Sequence, residues 1–166
     1  MKRVLFVCLG NICRSPMAHG AFRKLIVDRG LNSLVQVDSC GTGGHHAGEP
    51  PNEMMQSVAE RRGYKLSDLR SRQLQQSDYR EFDLLIAMDS ANERDILARE
   101  PVDSRCQIKR FMSFVPDCDE QDVPDPWWAG RLEGFEEVCD LIEAGVHQLL
   151  DYVVQDGLID SENESP

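Results

Sequence analysis

No stretch of this chain approaches the roughly 20 apolar residues needed to cross a bilayer. The opening run Met1-Lys2-Arg3-Val4-Leu5-Phe6-Val7 is too short for a secretory leader, because Asn11 and Arg14 break any apolar continuation. Positive charge is in the minority: 18 Lys and Arg face 29 Asp and Glu, a net charge of −11. A nucleic-acid backbone demands a basic footprint, so nucleic acid is excluded as the main ligand. None of the six cysteines forms a C-x-x-C pair, which argues against structural zinc. Without an export signal the expected setting is the reducing cytoplasm, with free thiols. Cys40, Cys106 and Cys139, and with less weight Cys118, read as small buried hydrophobes. No internal repeat and no interdomain linker is visible. What remains is a 166-residue chain, 41% hydrophobic and 28% charged, long enough to bury one core.

Apolar periodicity divides the chain into alternating elements. Lys2 to Val7 reads as a buried strand, and Ser15-Pro16 as the cap and first residue of a helix over Met17 to Arg29 that Gly30 ends. A strand over Leu34 to Cys40, a loop over Gly41 to Pro51 and a helix over Glu53 to Arg62 come next. Tyr64 to Ser77 is irregular. Phe82 to Met88 reads as a strand, Ser90 to Arg99 as a helix, and Gln107 to Val115 holds a fourth strand. Pro116 to Gly130 is a long loop. Leu132 to Val154 is an amphipathic helix with Phe135, Val138, Cys139, Ile142, Val146, Leu149, Leu150 and Val153 on one face. This alternation predicts an α/β fold: a single domain over residues 1–154 with a four-stranded parallel sheet, helices on both faces, and an anion-binding loop after the first strand. Residues 155–166 carry Asp156, Asp160, Glu162 and Glu164 and read as a disordered acidic tail.

In such sheets ligands bind beyond the carboxyl ends of the strands, which places Cys8-Leu9-Gly10-Asn11-Ile12-Cys13-Arg14-Ser15 where chemistry is expected. Gly10 and Asn11 both tolerate left-handed backbone, and a loop with such turns can aim successive N–H groups at an anion. The dipole of the adjoining helix adds positive potential, and Arg14 offers a guanidinium fork for two phosphate oxygens. A thiol at Cys8 facing that field ionises readily, and the Ser15 hydroxyl is placed to donate to the thiolate. Asp125, between Pro124 and Pro126, is a stiffly flanked carboxyl able to protonate a leaving oxygen and then activate water. Spacing alone reads Asp125-Pro126 as a turn, and Asp119 and Asp122 stand as other acid candidates.

The segment Val7-Cys8-Leu9-Gly10-Asn11-Ile12-Cys13-Arg14-Ser15-Pro16-Met17-Ala18 closely resembles the signature of the low-molecular-weight protein tyrosine phosphatases. The resemblance continues through Asp38-Ser39-Cys40-Gly41-Thr42, Gly48-Glu49-Pro50-Pro51, Ser71-Arg72-Gln73-Leu74, Met88-Asp89 and Asp125-Pro126, in the family's order, to about Val154. It implies Cys8 as a nucleophile forming a phosphocysteine, Arg14 as phosphate clamp, Asp125 as general acid and base, and Leu9, Gly10, Asn11, Ile12, Cys13 and Ser15 as the cradle. It also implies Ser39 and Asp89 as loop supports, Trp127 and Trp128 as aromatic pocket wall, and Cys13 as the partner of Cys8 in a reversible disulfide. Tyrosine-phosphorylated proteins are the implied substrates and inorganic phosphate the product, with no cofactor, metal, nucleic acid or membrane needed, in a monomer or weak dimer.

Two positions depart from the family pattern. His45 replaces a large aromatic on the wall facing the tryptophans, and Leu69 stands near a position often held by a loop-supporting histidine. Two readings compete with hydrolysis. Arsenate reductases share the fold and loop, but the thioredoxin-coupled ones need resolving cysteines that Ala87 to Asp95 lacks. A phosphate-binding module without turnover would have little physical reason to keep a nucleophile, an arginine and an acid together.

Overall fold

In a computed structural model, which describes residues 1–156, a four-stranded, wholly parallel sheet runs in the order β2-β1-β3-β4. Its strands are β1 (Lys2–Cys8), β2 (Val35–Gly41), β3 (Leu84–Ala87) and β4 (Gln107–Arg110). The helices are α1 (Arg14–Asp28), α2 (Glu53–Arg61), α3 (Asp78–Glu81), α4 (Ser90–Arg99), α5 (Pro126–Ala129) and α6 (Leu132–Asp151), the last continued by a wider turn over Tyr152–Asp156. The strand order reverses between β1 and β3, so a crevice opens at the carboxyl end of β1.

Side-chain alternation builds two cores. Val4, Phe6, Leu84 and Ile86 face one side and pack with α1, α2 and α6, whereas Leu5, Val7, Leu85 and Ala87 face the other and pack with Tyr79 of α3 and Ile96 of α4. Both faces of β1 and β3 are therefore dry, which explains their unbroken apolar runs. All eight residues expected on the apolar face of the last helix are buried. Among the described residues no helix is long and apolar enough to cross a membrane.

The differences from the sequence reading lie at element ends. α1 begins at Arg14, preceded by Cys13, and Ser15 does not cap it, because its hydroxyl is engaged with Cys8 and Asn11. Pro16 then falls in the first turn, where a missing N–H costs nothing. The fourth strand stops at Arg110 and gives way to a single tight turn over Phe111–Phe114. The two short helices α3 and α5 lie in or beside segments read as loop, since four-residue helices leave no periodicity to read. Cys106 is only partly buried, its sulfur near the Ser104 hydroxyl, while Cys40 and Cys139 are fully buried. The tail expected from residue 155 lies, beyond Asp156, outside the described residues.

Candidate active site

The chain leaves β1 at Cys8 and must turn within six residues into α1. Asn11 makes that turn with a positive φ of 54°, a conformation asparagine accepts better than most side chains. Gly10, expected to share the role, is not in that region. What it supplies is space, because a Cβ there would lie 3.1 Å from the His46 ring. Gly41, at the end of β2, permits the closest approach: a Cβ would sit 2.6 Å from the Leu9 carbonyl oxygen and 3.2 Å from the Asn11 nitrogen.

The cradle is tied to its surroundings on several sides. The N–H groups of Thr42 and Gly43 bond the carbonyls of Cys8 and Leu9 at 2.8 and 2.9 Å, and the Asn52 N–H bonds that of Ile12 at 2.8 Å. The Ser71 hydroxyl donates to the Gly10 carbonyl at 3.0 Å, and the Arg72 N–H donates to Asn11 Oδ1 at 3.1 Å. Arg72 is itself gripped by Asp38 and by the buried Asp78.

Within the loop, Cys8 Sγ lies 2.9 Å from Ser15 Oγ and accepts from the Asn11 N–H at 3.3 Å. Asn11 Nδ2 donates to Ser15 Oγ at 2.8 Å. That bond occupies one lone pair on the hydroxyl oxygen, and the hydroxyl proton has two acceptors in reach, the Cys8 sulfur at 2.9 Å and the Cys40 carbonyl at 3.4 Å. Cys13 is a contrast within the same loop: burial, and after it the charges of Cys8 and Asp125, push its thiol up to about 12, with Arg14 pulling only weakly the other way. It stays a neutral thiol at every physiological pH.

Arg14 is 4% exposed, yet its charge is compensated. Nη1 donates to Asp89 Oδ2 at 2.5 Å and to the Val123 carbonyl at 3.1 Å, and Nη2 stands 3.5 Å from Asp125 Oδ2. Burial alone would lower its pKa, but the neighbouring Cys8, Asp89 and Asp125 raise it overall, so the guanidinium remains a fixed cation. Asp89 spends its other oxygen on the Asn92 N–H, capping α4, so a helix start is used to aim the arginine.

Asp125 caps α5 by accepting from the Trp127 N–H at 3.0 Å, with Pro126 as the first helical residue. Of the other acid candidates, Asp122 has both oxygens on Ser90 (2.7 Å from its N–H, 3.3 Å from its hydroxyl) and Asp119 is exposed outside the pocket. Cys8, Leu9, Gly10, Ile12, Cys13, Arg14, His45, Asp125, Trp127 and Trp128 together line a pocket of about 140 Å³. The tryptophans are 51% and 80% exposed, so neither belongs to the core.

Some contributions were not anticipated. His46 also lines the pocket, its ring 5.9 Å from that of Trp127 and its Nδ1 2.8 Å from Glu49. Nothing in the sequence marks which of two adjacent histidines meets a far-off aromatic. Ser39 bonds His19 of α1 at 3.0 Å, while Asn11 is held by Arg72 and Ser15. Leu69 is buried in the larger core. Asn52, Ser71 and Arg72 lie in loops whose partners are distant in the chain; Ser71-Arg72 carried a signal only through the family resemblance.

Comparison with known proteins agrees with this geometry. The family described as low molecular weight phosphotyrosine protein phosphatase matches residues 3–158. The low molecular weight protein-tyrosine-phosphatase YfkJ of Bacillus subtilis is 45% identical over 150 residues, covering 90% of this chain and 94% of its own. Among solved structures, a product-state mimic of a protein tyrosine phosphatase from Entamoeba histolytica superposes with a TM-score of 0.88 at 34% identity, covering 96% of this chain and all of the other. A Drosophila arginine phosphatase superposes with a TM-score of 0.86 at 29% identity, covering 94% and 99%. With a family match over nearly its whole length, the chain belongs to the low-molecular-weight protein tyrosine phosphatases, a family of hydrolases.

Proposed function

We propose that the chain hydrolyses phosphotyrosine in proteins, and small aryl phosphates, through a phosphocysteine on Cys8. The observation that carries this reading is the convergence of two distant segments on one small pocket: the loop from Cys8 to Ser15, with two hydrogen-bonding partners on the Cys8 sulfur and a buried Arg14, and Asp125, 3.5 Å from that arginine. The Cys8 thiolate attacks phosphorus and a P–S bond forms. The P–O bond to the phenol breaks, and the phenolate oxygen takes its proton from Asp125. Ser15 steadies the sulfur before attack and again when it departs. In the second step the Asp125 carboxylate accepts a proton from water, whose oxygen attacks phosphorus, releasing inorganic phosphate and the thiolate. Charge on the transferring group is met by Arg14 and by N–H groups of the loop and first turn of α1, all fixed beforehand. No metal or cofactor enters these steps. Trp127 and Trp128 with the histidine side form a wall suited to a phenyl ring.

Oxidation would act on the same sulfur. Peroxide would convert the Cys8 thiolate to a sulfenic acid as its O–O bond breaks and hydroxide leaves; condensation with the Cys13 thiol then forms a disulfide and water, and external thiol reduces it.

The test is phosphate release from phosphotyrosine, phosphoserine and phosphoarginine peptides in the presence of chelator, for wild type and Cys8→Ser. Phosphotyrosine turnover by wild type, abolished in Cys8→Ser while vanadate still binds, is the expected result. Full activity of the variant removes Cys8 from the mechanism, preference for phosphoarginine changes the substrate class, and phosphotyrosine binding without release makes the protein a binding module. Arsenate reduction with thioredoxin or glutathione, without aryl phosphate hydrolysis, makes it a reductase.

A further inference from the structure

Among the described residues, the backbone of the segment that carries Asp125 is hydrogen-bonded to other elements at the junction of β3 and α4; beyond it, Asp125 stands 3.5 Å from Arg14 and the Trp127 ring 5.9 Å from that of His46. Val123 is buried at that junction, its N–H donating to the Met88 carbonyl at 2.8 Å and its carbonyl accepting from Arg14 at 3.1 Å. Asp122 straddles the first residue of α4, accepting the Ser90 N–H at 2.7 Å and facing the Ser90 hydroxyl at 3.3 Å. Asp89, one residue earlier, holds Arg14. Two adjacent residues at one helix start thus hold the phosphate clamp and the acid-bearing segment respectively. Pro124, with its fixed φ, is the only residue between the pinned Val123 and Asp125. On the other flank the chain runs into Trp127 and Trp128, both exposed, and the Trp127 bond to Asp125 is local and moves with the segment.

We infer that Asp122 is a positioning residue for Asp125, acting through Ser90 to set how far the acid stands from the phosphate clamp. The inference rests on the acid role proposed above. It predicts an effect that depends on the leaving group. An ester of an acidic nitrophenol departs without help, so a displaced acid costs it little. An ester of phenol itself needs the proton, and a misplacement on the order of 1 Å is enough to slow it strongly.

The experiment measures kcat/KM for aryl phosphates graded from acidic nitrophenols to phenol, for wild type, Asp122→Ala, Asp122→Asn and Ser90→Ala, with Asp125→Asn as the reference for a lost acid. Asp122→Ala is expected to fall roughly 10-fold on phenyl phosphate and less than about 2-fold on the most acidic nitrophenyl ester, with vanadate inhibition unchanged because the cradle is untouched. Asp122→Asn keeps an oxygen for the Ser90 N–H and recovers most of the loss. Ser90→Ala, which removes only the longer bond, shifts the slope in the same direction by a smaller amount, and it serves in place of Asp122→Ala if that variant does not fold. A loss equal across the series, or none, in the soluble variants overturns the inference. A wild type that hydrolyses no aryl ester, or an Asp125→Asn with an unchanged slope, overturns instead the reading on which it stands.

Discussion

Cys8 and Asp125 face the same pocket from supports of opposite kind. The cradle is bonded to the end of β2, to the start of α2, to residues 71 and 72 and, through Arg14, to α4. Among the described residues, the hydrogen bonds from the acid-bearing segment to other elements lie on the flank of Asp122 and Val123; the other flank ends in two tryptophans largely open to solvent, one of them facing the His46 ring. On the mechanism proposed above, the difference matches the task of each side. The phosphoryl group is the same in every substrate, and donors aimed beforehand at its developing charge are most effective when they need not rearrange. The group attached to it varies, so the wall and acid that meet it gain from being lightly held. Rigidity is therefore concentrated where the ligand is constant.

The largest break in that contrast should come from removing a strut of the cradle. The Arg72 side chain links Asp38 on β2 to Asp78 on α3, and that anchorage fixes where its main-chain N–H meets the Asn11 side chain. Asp78 is 4% exposed and its Oδ2 also accepts from the Gln75 N–H, so Arg72→Ala leaves a buried carboxylate without its counter-ion. Loss of one partner of such a pair costs about 3 kcal/mol, to be read as a lower denaturant midpoint at constant slope. Activity should fall roughly 10-fold at every leaving group, since the cradle meets the phosphoryl group and not the phenol. Arg72→Lys should restore little, because one ammonium cannot span both carboxylates as the fork does. A loss confined to poor leaving groups would show that the two sides of the pocket are not separately supported.

How far this division could be read from the chain depends on sequence distance. The strands, α1, α2, α4 and α6 are marked by local periodicity and punctuation, and the segment from Cys8 to Ser15 by its place between a strand and a helix. The Asp125-Pro126 turn is local as well, and it is real: the carboxylate caps α5. The struts were not legible, because Arg72 with Asn11, Asp122 with Ser90 and His46 with Trp127 are separated by 61, 32 and 81 residues. Ser15 misled for the opposite reason: Ser-Pro is a sound local cap signal, overridden by a sulfur seven residues back.

A smaller effect sharpens the comparison through pH. His19 lies in α1 behind the cradle, bonded to Ser39, with Asp38, Arg23 and Asp68 around it. Burial is the main cause holding its imidazole down, to about 4 from the ordinary 6.5. Between those values the unfolded chain takes up the proton and the folded one does not, so stability falls as pH falls from 6.5 towards 4, by up to about 1.4 kcal/mol per pH unit from this group. His19→Asn keeps a group for Ser39 without the titration, and its stability should decline less steeply over the same interval. Chemical unfolding of both proteins at pH 6.5, 5.5 and 4.5 measures the difference. Parallel profiles would mean that His19 is protonated in the folded state.

The smallest effect is expected where the support is lightest. Trp128 is 80% exposed, so Trp128→Ala removes little buried area and should leave stability within about 0.5 kcal/mol. Its ring bounds the pocket mouth, and what it offers a phenyl group is contact made equally before and during reaction. Loss of such contact raises KM without lowering kcat, by about 2- to 5-fold for an aryl phosphate and not at all for an alkyl phosphate of similar size. Trp127→Ala should cost more, because that ring is half-buried against His46. If Trp128→Ala lowers kcat for poor leaving groups instead, the ring is holding Asp125 in place, and the exposed flank of the segment is a support after all.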